Sequence, residues 1–382
     1  MKLKTLLLSA DDKTVRILRR VLGDLEIDVE HSSTAEDAIR QITRQRFEGI
    51  IVDVTNVEEA GNVLRGAKAA PVNKRALAIV LVESTIGMKG GFEMGAHFVL
   101  HKPFAVERAK ASFRAVRALM KRERRIQMRV PVQVPVECFG DSRYKAKTLD
   151  LCEGGMAIQF SDRMPKESPL RFSLELPGAR QGLEIEGELA WEGGDKQAGV
   201  RFKDATDDQR RIISQWLSSQ LSEPEQDDPP VICKVTDQSL GGCYLTTSSP
   251  FPRGTRVALS IRTADLEAHA KGCVLVAHPE FGMGIEFLQK TDEQRDQAHR
   301  LVTALRAKGD TPDLHVTPEE LDRSSPGDHS ATAEAAATEV SGNEDALVAL
   351  FRHKFQIPVE SFMEQMRKRR PSGESRSLSA KH

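Results

Sequence analysis

The chain repeats itself internally, and this repeat constrains the fold more than any other feature. Asp150-Leu-Cys-Glu-Gly-Gly155 is echoed by Asp237-Gln-Ser-Leu-Gly-Gly242, and Gly199-Val-Arg-Phe202 is echoed by Gly284-Ile-Glu-Phe287. The interval between the two landmarks is 49 residues in the first copy (150 to 199) and 47 in the second (237 to 284). Short runs of alternating apolar and polar residues with glycine turns surround both, as in antiparallel strands. The sequence therefore predicts two tandem antiparallel β domains, at 122–222 and 228–307, each with a C-terminal helix.

A different pattern precedes the repeat. Residues 1–121 alternate strand and helix signals, and Ile50–Val54 and Leu77–Val82 are continuous apolar runs of strand length. Such runs are typical of parallel strands that are buried on both faces. This part of the chain is predicted to be a doubly wound, flavodoxin-like α/β domain.

The sequence after the repeat changes in composition. Residues 308–343 are rich in Ser, Thr, Ala, Pro and acidic residues and contain no aromatic residue, which predicts a disordered linker. Helical periodicity returns over 344–370, where Leu347, Leu350 and Phe351 indicate a short amphipathic helical segment. A disordered tail is expected over 371–382.

Composition excludes several classes of protein. The formal net charge of −1 gives no basic excess for a nucleic-acid partner, and no helix-turn-helix segment predicts DNA binding. No apolar run approaches the roughly 20 residues of a membrane span. The five cysteines form no C-x-x-C, as in a reduced cytoplasmic protein. Because no nucleophile or metal motif of an enzyme appears, we expect a protein that is not an enzyme.

The first domain resembles the receiver domain of bacterial response regulators. Asp53 follows the apolar strand Ile50-Ile-Val52, Lys102 is followed by Pro and Phe, and Asp11 follows the first strand. The resemblance implies that Asp53 is the phosphoacceptor, with Asp12 and Lys102 supporting the site. It also implies that Asp11 and Asp53 bind Mg²⁺, which prefers carboxylate oxygens.

Two positions depart from the receiver pattern. Ala10 stands where the family has a second acid, and Val82 stands where it has a hydroxyl residue. Two alternatives therefore stay open: a receiver that is phosphorylated at Asp53, and a pseudo-receiver that is kept for docking or dimerisation.

The first β domain resembles the PilZ family. Arg125 and Arg129 form R-x-x-x-R, preceded by Arg124, and Asp150-x-Cys152-x-x-Gly155 follows about 20 residues later. PilZ domains are small antiparallel β-barrels that bind cyclic di-GMP. The resemblance therefore implies that both β domains are barrels and that these six residues bind the ligand. An Arg guanidinium can pair with guanine O6 and N7 or with phosphate, an Asp can accept guanine N–H groups, and Gly155 permits close approach. Cys152 departs from the family, which has Ser there.

The second copy reverses this situation. Asp237, Ser239 and Gly242 fit the short motif fully, but residues 223–232 contain no Arg. We therefore expect a PilZ-like fold in which these three residues are structural.

Three hypotheses follow for the whole chain. In the first, a non-enzymatic signalling adaptor binds cyclic di-GMP through its first PilZ-like domain and couples binding to the receiver-like domain. In the second, the chain is a ligand-independent scaffold with degenerate domains. In the third, phosphotransfer to Asp53 controls it. A sensor kinase and a second copy of the chain are candidate protein partners.

Overall fold

The structure, a computed structural model, describes most of the chain. The described residues are 2–83, 87–165, 169–179, 181–203, 205–220, 228–262, 267–279, 281–307, 313–321, 345–353 and 359–369. No helix in these ranges is long and apolar enough to cross a membrane.

The receiver-like domain is a five-stranded parallel sheet with helices on both faces. Its elements are β1 (Leu3–Leu8), α1 (Asp12–Asp24), β2 (Ile27–Ser32), α2 (Ala35–Arg44), β3 (Gly49–Asp53), α3 (Val57–Ala69), β4 (Leu77–Val82), α4 (Gly87–Glu93), β5 (Phe98–His101) and α5 (Val106–Gln127). The strand order is β2-β1-β3-β4-β5. Apolar residues of α1 and α5 pack on one face of the sheet, and those of α2 and α3 pack on the other. The predicted doubly wound fold is confirmed.

The first repeat copy is a closed antiparallel barrel. Its elements are β6 (Val130–Pro131), β7 (Pro135–Phe139), β8 (Arg143–Cys152), β9 (Gly155–Phe160), β10 (Leu170–Leu174), β11 (Leu183–Glu192), β12 (Gln197–Lys203) and α6 (Asp207–Ser219). Around the barrel the order is β8-β7-β10-β11-β12-β9, and pairing of β8 with β9 closes it. Alternate residues such as Val136 and Cys138 fill the interior, where Trp216 of α6 also packs.

The second copy is also a closed barrel. Its elements are β13 (Val231–Gln238), β14 (Gly242–Thr246), β15 (Thr255–Arg262), β16 (Glu267–His278), β17 (Gly282–Phe287), α7 (Asp292–Ala307) and β18 (Asp313–Leu321). The order around the barrel is β13-β14-β17-β16-β15-β18. This order equals that of the first barrel when β13 to β17 are matched with β8, β9, β10, β11 and β12. The strand β18 then takes the place of β7, so the second barrel is a circular permutant of the first.

The strand β18 corrects a prediction. Residues 313–321 lie inside the segment 308–343 that was expected to be a disordered linker, yet they pair with both β13 and β15. The alternation of buried Leu314 and Val316 with more exposed neighbours supplies the inward face of a strand. The second β domain therefore continues beyond residue 307. Residues 308–312 and 322–344 lie outside the described part.

The predicted C-terminal helical segment is two helices, α8 (Ala346–His353) and α9 (Val359–Arg369). Their apolar side chains form a cluster with residues on the outer face of the second barrel. The predicted tail, 371–382, lies outside the described residues.

The domains do not group in chain order. Met1–Lys121 and Asp228–His382 form one compact unit, and Arg122–Asp227 form another. Within the first unit, Asp228 Oδ1 lies 2.7 Å from both Arg117 Nη1 and Lys121 Nζ. The receiver-like core and the interior of the second barrel form one continuous apolar cluster. In sequence, the first barrel is thus an insertion between two parts that fold together.

Candidate functional site

The carboxylate of Asp53 lies at the end of β3 and already has two partners. The Ser9 hydroxyl donates to Asp53 Oδ2 at 2.8 Å, and Lys102 Nζ lies 2.6 Å from Asp53 Oδ1. The Asp53 side chain is fully buried, so these contacts compensate the loss of water around its charge. The sequence pattern paired Lys102 with Asp53 but did not indicate Ser9. This residue directly follows β1, and a small polar residue at that place matches no functional motif.

The residues around Asp53 do not fit the expected Mg²⁺ site. Asp11 is the N-cap of α1, where its carboxylate accepts the backbone N–H groups of Lys13 and Thr14 and the Thr14 hydroxyl. The hydrogen bond from the Thr14 hydroxyl is the main cause that lowers the pKa of Asp11. Asp12 is exposed in the first turn of α1. Among the described residues, no three His, Cys, Asp or Glu side chains come close enough to hold a metal ion.

The hydroxyl position expected after β4 holds no hydroxyl. Val82 ends β4 and is fully buried, so it presents only methyl groups. The nearest serine, Ser84, lies outside the described residues.

The arginine segment and the short motif meet in the first barrel. Arg129 Nη1 donates to Asp150 Oδ1 at 2.5 Å, and Asp150 Oδ1 also accepts the backbone N–H of Ala157 at 3.1 Å. The strand β6 holds the two segments together, because Pro131 pairs with Asp150 and Val130 with Leu151. The Arg129 side chain is 42% exposed, so the guanidinium remains accessible to an anion.

The last turn of α5 carries the other arginines. Arg124 and Arg125 are both half-buried there. Between them and Arg129, buried Ile126 packs on Gly154, where a Cβ would lie 3.2 Å from the Ile126 side chain. The helix end therefore rests on the motif loop itself.

Cys152 serves the motif turn as a neutral thiol. It is buried, and burial raises the pKa of the Cys152 thiol although Arg129 opposes the shift. The backbone N–H groups of Gly154 and Gly155 also act to lower the pKa of this thiol. In the second copy, Ser239 Oγ accepts the backbone N–H of Gly242 at 3.2 Å. Cys152 thus keeps the turn but is a weaker hydrogen-bond partner than Ser.

Gly155 is required by close backbone approach. A Cβ at Gly155 would lie 2.1 Å from the Val200 carbonyl oxygen on β12, a distance no side chain tolerates. In the second copy, a Cβ at Gly242 would lie 2.3 Å from the Ile285 carbonyl oxygen. Both glycines therefore serve the barrel, whatever else they contact.

An exposed aromatic residue extends the site across the barrel. Register places Asp150, Ala157, Gly199 and Trp191 in one row over four neighbouring strands. The indole of Trp191 lies over Gly199, where a Cβ would meet Nε1 at 2.0 Å, and the residue is 45% exposed. Sequence reasoning did not select Trp191. Its place at a strand end before Gly193-Gly194, eight residues before Gly199, was the available signal.

In the second barrel, the motif residues bond among themselves. The Ser239 backbone N–H donates to the Gly242 carbonyl at 2.8 Å, and Asp237 Oδ1 accepts the Gln238 backbone N–H at 2.8 Å. The neighbouring Gly241 N–H donates to Asp345 Oδ2 at 3.0 Å.

Comparison with known protein families identifies a repeated domain in the part of the chain that holds the two barrels. Residues 122–219 and residues 220–304 each match the PilZ domain family. No curated protein matches the chain in sequence.

Solved structures are similar to single domains of the chain. A response regulator from Thermotoga maritima is similar at 16% identity and a TM-score of 0.28, and the matched region covers 31% of this chain and 99% of that protein. The receiver domain of a Pseudomonas aeruginosa sensor histidine kinase, with magnesium in its active-site cleft, has 18% identity and a TM-score of 0.28. The matched region covers 32% of this chain and 99% of that domain. The PilZ domain of CeSA from a cellulose-synthesizing bacterium has 19% identity and a TM-score of 0.21, covering 25% and 99%.

Proposed function

Because this chain carries two tandem PilZ domains behind a receiver-like domain, we propose that it is a signalling adaptor whose first PilZ domain binds cyclic di-GMP. The observation that carries the proposal is the contact of Arg129 with Asp150, which brings together a guanidinium and a carboxylate that can accept guanine N–H groups.

The residues near this contact suit the parts of the ligand. The guanidinium groups of Arg124, Arg125 and Arg129 complement two phosphates and can pair with guanine O6 and N7. Asp150 can accept the guanine N–H groups once Arg129 turns to the ligand. The exposed indole of Trp191 offers a stacking surface for a purine at the far end of the row.

Coupling to the receiver-like domain would use α5. This helix runs without interruption from Val106 to Gln127, its early residues Ala109 and Phe113 belong to the receiver-like core, and its last turn holds the arginines. A ligand that orders this last turn acts on the same helix that completes the receiver-like domain.

The test is calorimetric titration of the full chain with cyclic di-GMP. Replacing Arg125 and Arg129 together by Ala should weaken binding by at least about 100-fold, since each charged hydrogen bond contributes about 1.5–3 kcal/mol and two are lost. The matched control is Arg143→Ala, which removes the same charge from an exposed position at the start of β8 and should leave binding unchanged. Equal affinities of all three proteins, or no binding by the parent, would reject the proposal.

A second candidate function is ligand-independent scaffolding, and the Asp53 site favours it for the receiver-like domain. Ser9 donates a hydrogen bond to the Asp53 carboxylate and Lys102 forms an ion pair with it, while Ala10 contributes a methyl group to the same cleft. Incubation with acetyl phosphate and Mg²⁺, followed by intact-mass measurement, tests this reading. An added phosphoryl group that Asp53→Asn abolishes would exclude it and support phosphotransfer control.

A further inference from the structure

The outer face of the second barrel is covered by the chain's own C-terminal helices. Tyr244 on β14 and Val276 on β16 lie in an apolar cluster with α8 and α9, separate from the barrel interior. Phe351 of α8 and Phe362 of α9 are fully buried there. Their ring centroids lie 6.2 and 5.6 Å from that of Tyr244. The helices therefore cover this face with an aromatic contact.

The covered face corresponds to the candidate ligand face of the first barrel. The row of Asp150, Ala157, Gly199 and Trp191 is matched in register by Asp237, Tyr244, Gly284 and Val276. In the first barrel, the residue over the row's glycine is the half-exposed Trp191. In the second, Val276 of β16 and Phe351 of α8 both lie over Gly284, with side-chain atoms 2.7 and 2.9 Å from where a Cβ would stand. A side chain at Gly284 would thus collide with the helix.

A polar contact fixes α8 on the motif loop. Asp345 Oδ2 accepts the Gly241 backbone N–H at 3.0 Å, while Asp345 Oδ1 accepts the Leu347 backbone N–H at 2.9 Å. Asp345 therefore caps α8 and binds the loop at once. In the first barrel, Ile126 at the end of α5 lies on Gly154, which corresponds to Gly241. Each motif loop is thus covered by a helix end, but by different helices.

The charge also differs between the copies on the strand that pairs with the last motif glycine, which is β12 in the first barrel and β17 in the second. Arg201 pairs in register with Gly155, and its side chain is 69% exposed although it lies 3.5 Å from Glu188, so this position of the first barrel carries a cationic group that an anion can reach. The corresponding residue of the second barrel is Glu286, which pairs in register with Gly242 and forms an ion pair with Arg352 of α8. The second barrel therefore suits a helix with a cationic side chain better than a nucleotide.

We propose that the second barrel is a helix-docking module and that its occupant is the chain's own pair of helices, α8 with its cap Asp345 and α9, bound in cis and replaceable. The mode is an amphipathic helical segment on an apolar surface, with Phe351 and Phe362 as anchors and Asp345 as the polar contact. Nucleotide binding by the first barrel is neither required nor excluded by this proposal.

The test keeps the chain intact until it has folded. A specific protease site is inserted between residues 330 and 340, the folded protein is cut, and a fluorescent synthetic peptide of residues 345–369 is added. The cut segment should remain with the body during gel filtration and then exchange with the peptide in a saturable way. Uncut protein should bind the peptide far more weakly, because the tethered segment competes at a high effective concentration.

Matched peptides test the anchors. A peptide with Phe351→Ala and Phe362→Ala should compete at least about 100-fold more weakly, since both rings are fully buried. A Lys368→Ala peptide should compete equally, because that side chain is 70% exposed. Equal competition by all peptides, or a cut segment that never exchanges, would overturn the proposal.

A second variant covers misfolding of the cut protein. The full chain with Phe351→Ala and Phe362→Ala should lose amide protection in β14 and β17, and should bind the parent peptide in trans. A variant that stays folded, keeps the amide protection of β14 and β17 and does not bind the peptide would also overturn the proposal.

Discussion

Acid should loosen the C-terminal helices from the second barrel, because His278 is buried beneath them as a neutral imidazole. The residue is 4% exposed, its Nδ1 lies 2.9 Å from the Tyr244 hydroxyl, and its ring centroid lies 4.5 Å from that of Phe362. Its Nε2 has no hydrogen-bond partner among the described residues. Burial lowers the pKa of His278 from 6.5 to about 4. Protonation is therefore opposed only while the site stays closed.

The sign and size of the effect follow from linkage. When the helices leave or the barrel unfolds, His278 regains water and its pKa returns toward 6.5. Between this value and about 4, the open state binds a proton that the closed state does not, so the closed state loses stability as the pH falls. At pH 5 the loss is up to about 2 kcal/mol, from about 1.4 kcal/mol per pKa unit. Above about pH 7 the contribution is fully present.

The assay compares the parent chain with His278→Gln, which stays uncharged over this range. Amide exchange of β14 and β17 is followed from pH 7.5 to pH 5 after correction for intrinsic exchange rates. The parent should lose protection by up to about 30-fold relative to its value at pH 7.5, as 2 kcal/mol implies. The Gln variant should lose far less. Parallel pH profiles for the two proteins would refute the assignment of the effect to His278.

Three further changes have defined outcomes. Gly155→Ala should lower the free energy of unfolding by at least about 1–3 kcal/mol in urea titrations, because its Cβ meets a backbone carbonyl, whereas Gly194→Ala, with open space around it, should be neutral. Trp191→Ala should weaken cyclic di-GMP binding by about 10- to 100-fold in calorimetry, the range for loss of one stacked base, with little change in melting temperature. Ser9→Asp with Ala10→Asp should raise the affinity for Mg²⁺ above that of the parent in a calorimetric Mg²⁺ titration, since carboxylates then adjoin the buried carboxylate of β3.

The regular elements could be predicted because buried positions recur in the sequence with the period of a helix or a strand. Continuous apolar runs predicted the parallel strands, and alternation around the repeated glycines predicted the antiparallel strands of both β domains. The strand β18 was missed because Leu314 and Val316 alternate only briefly inside a polar, Pro-containing segment. Its partners β13 and β15 lie far away in the chain, and composition does not record such pairings. The grouping of the receiver-like domain with the second barrel was hidden for the same reason.

The candidate sites divide along similar lines. The sequence pattern indicated both Arg129 and Asp150, since the two motifs are close in the chain and β6 joins them directly. It could not show that Asp11 caps α1, because an acid after a strand suits a metal site and a helix N-terminus equally well. The role of Ser9 depends on parallel strands that bring β1 beside β3, which only the folded chain reveals.

The permuted strand order explains why the arginines accompany one motif and not the other. In the first barrel, the arginine segment leads through β6 into β7, and β6 pairs beside Asp150. In the second barrel, the strand equivalent to β7 is β18, which comes last and follows α7. No arginine occurs in residues 223–230 before β13, and Asp228 in this stretch lies 2.7 Å from both Arg117 and Lys121. The motif loop is instead available to α8. By motif alone the second copy would be the better ligand site, since it has the full Asp-x-Ser-x-x-Gly, but the order of the strands favours the first.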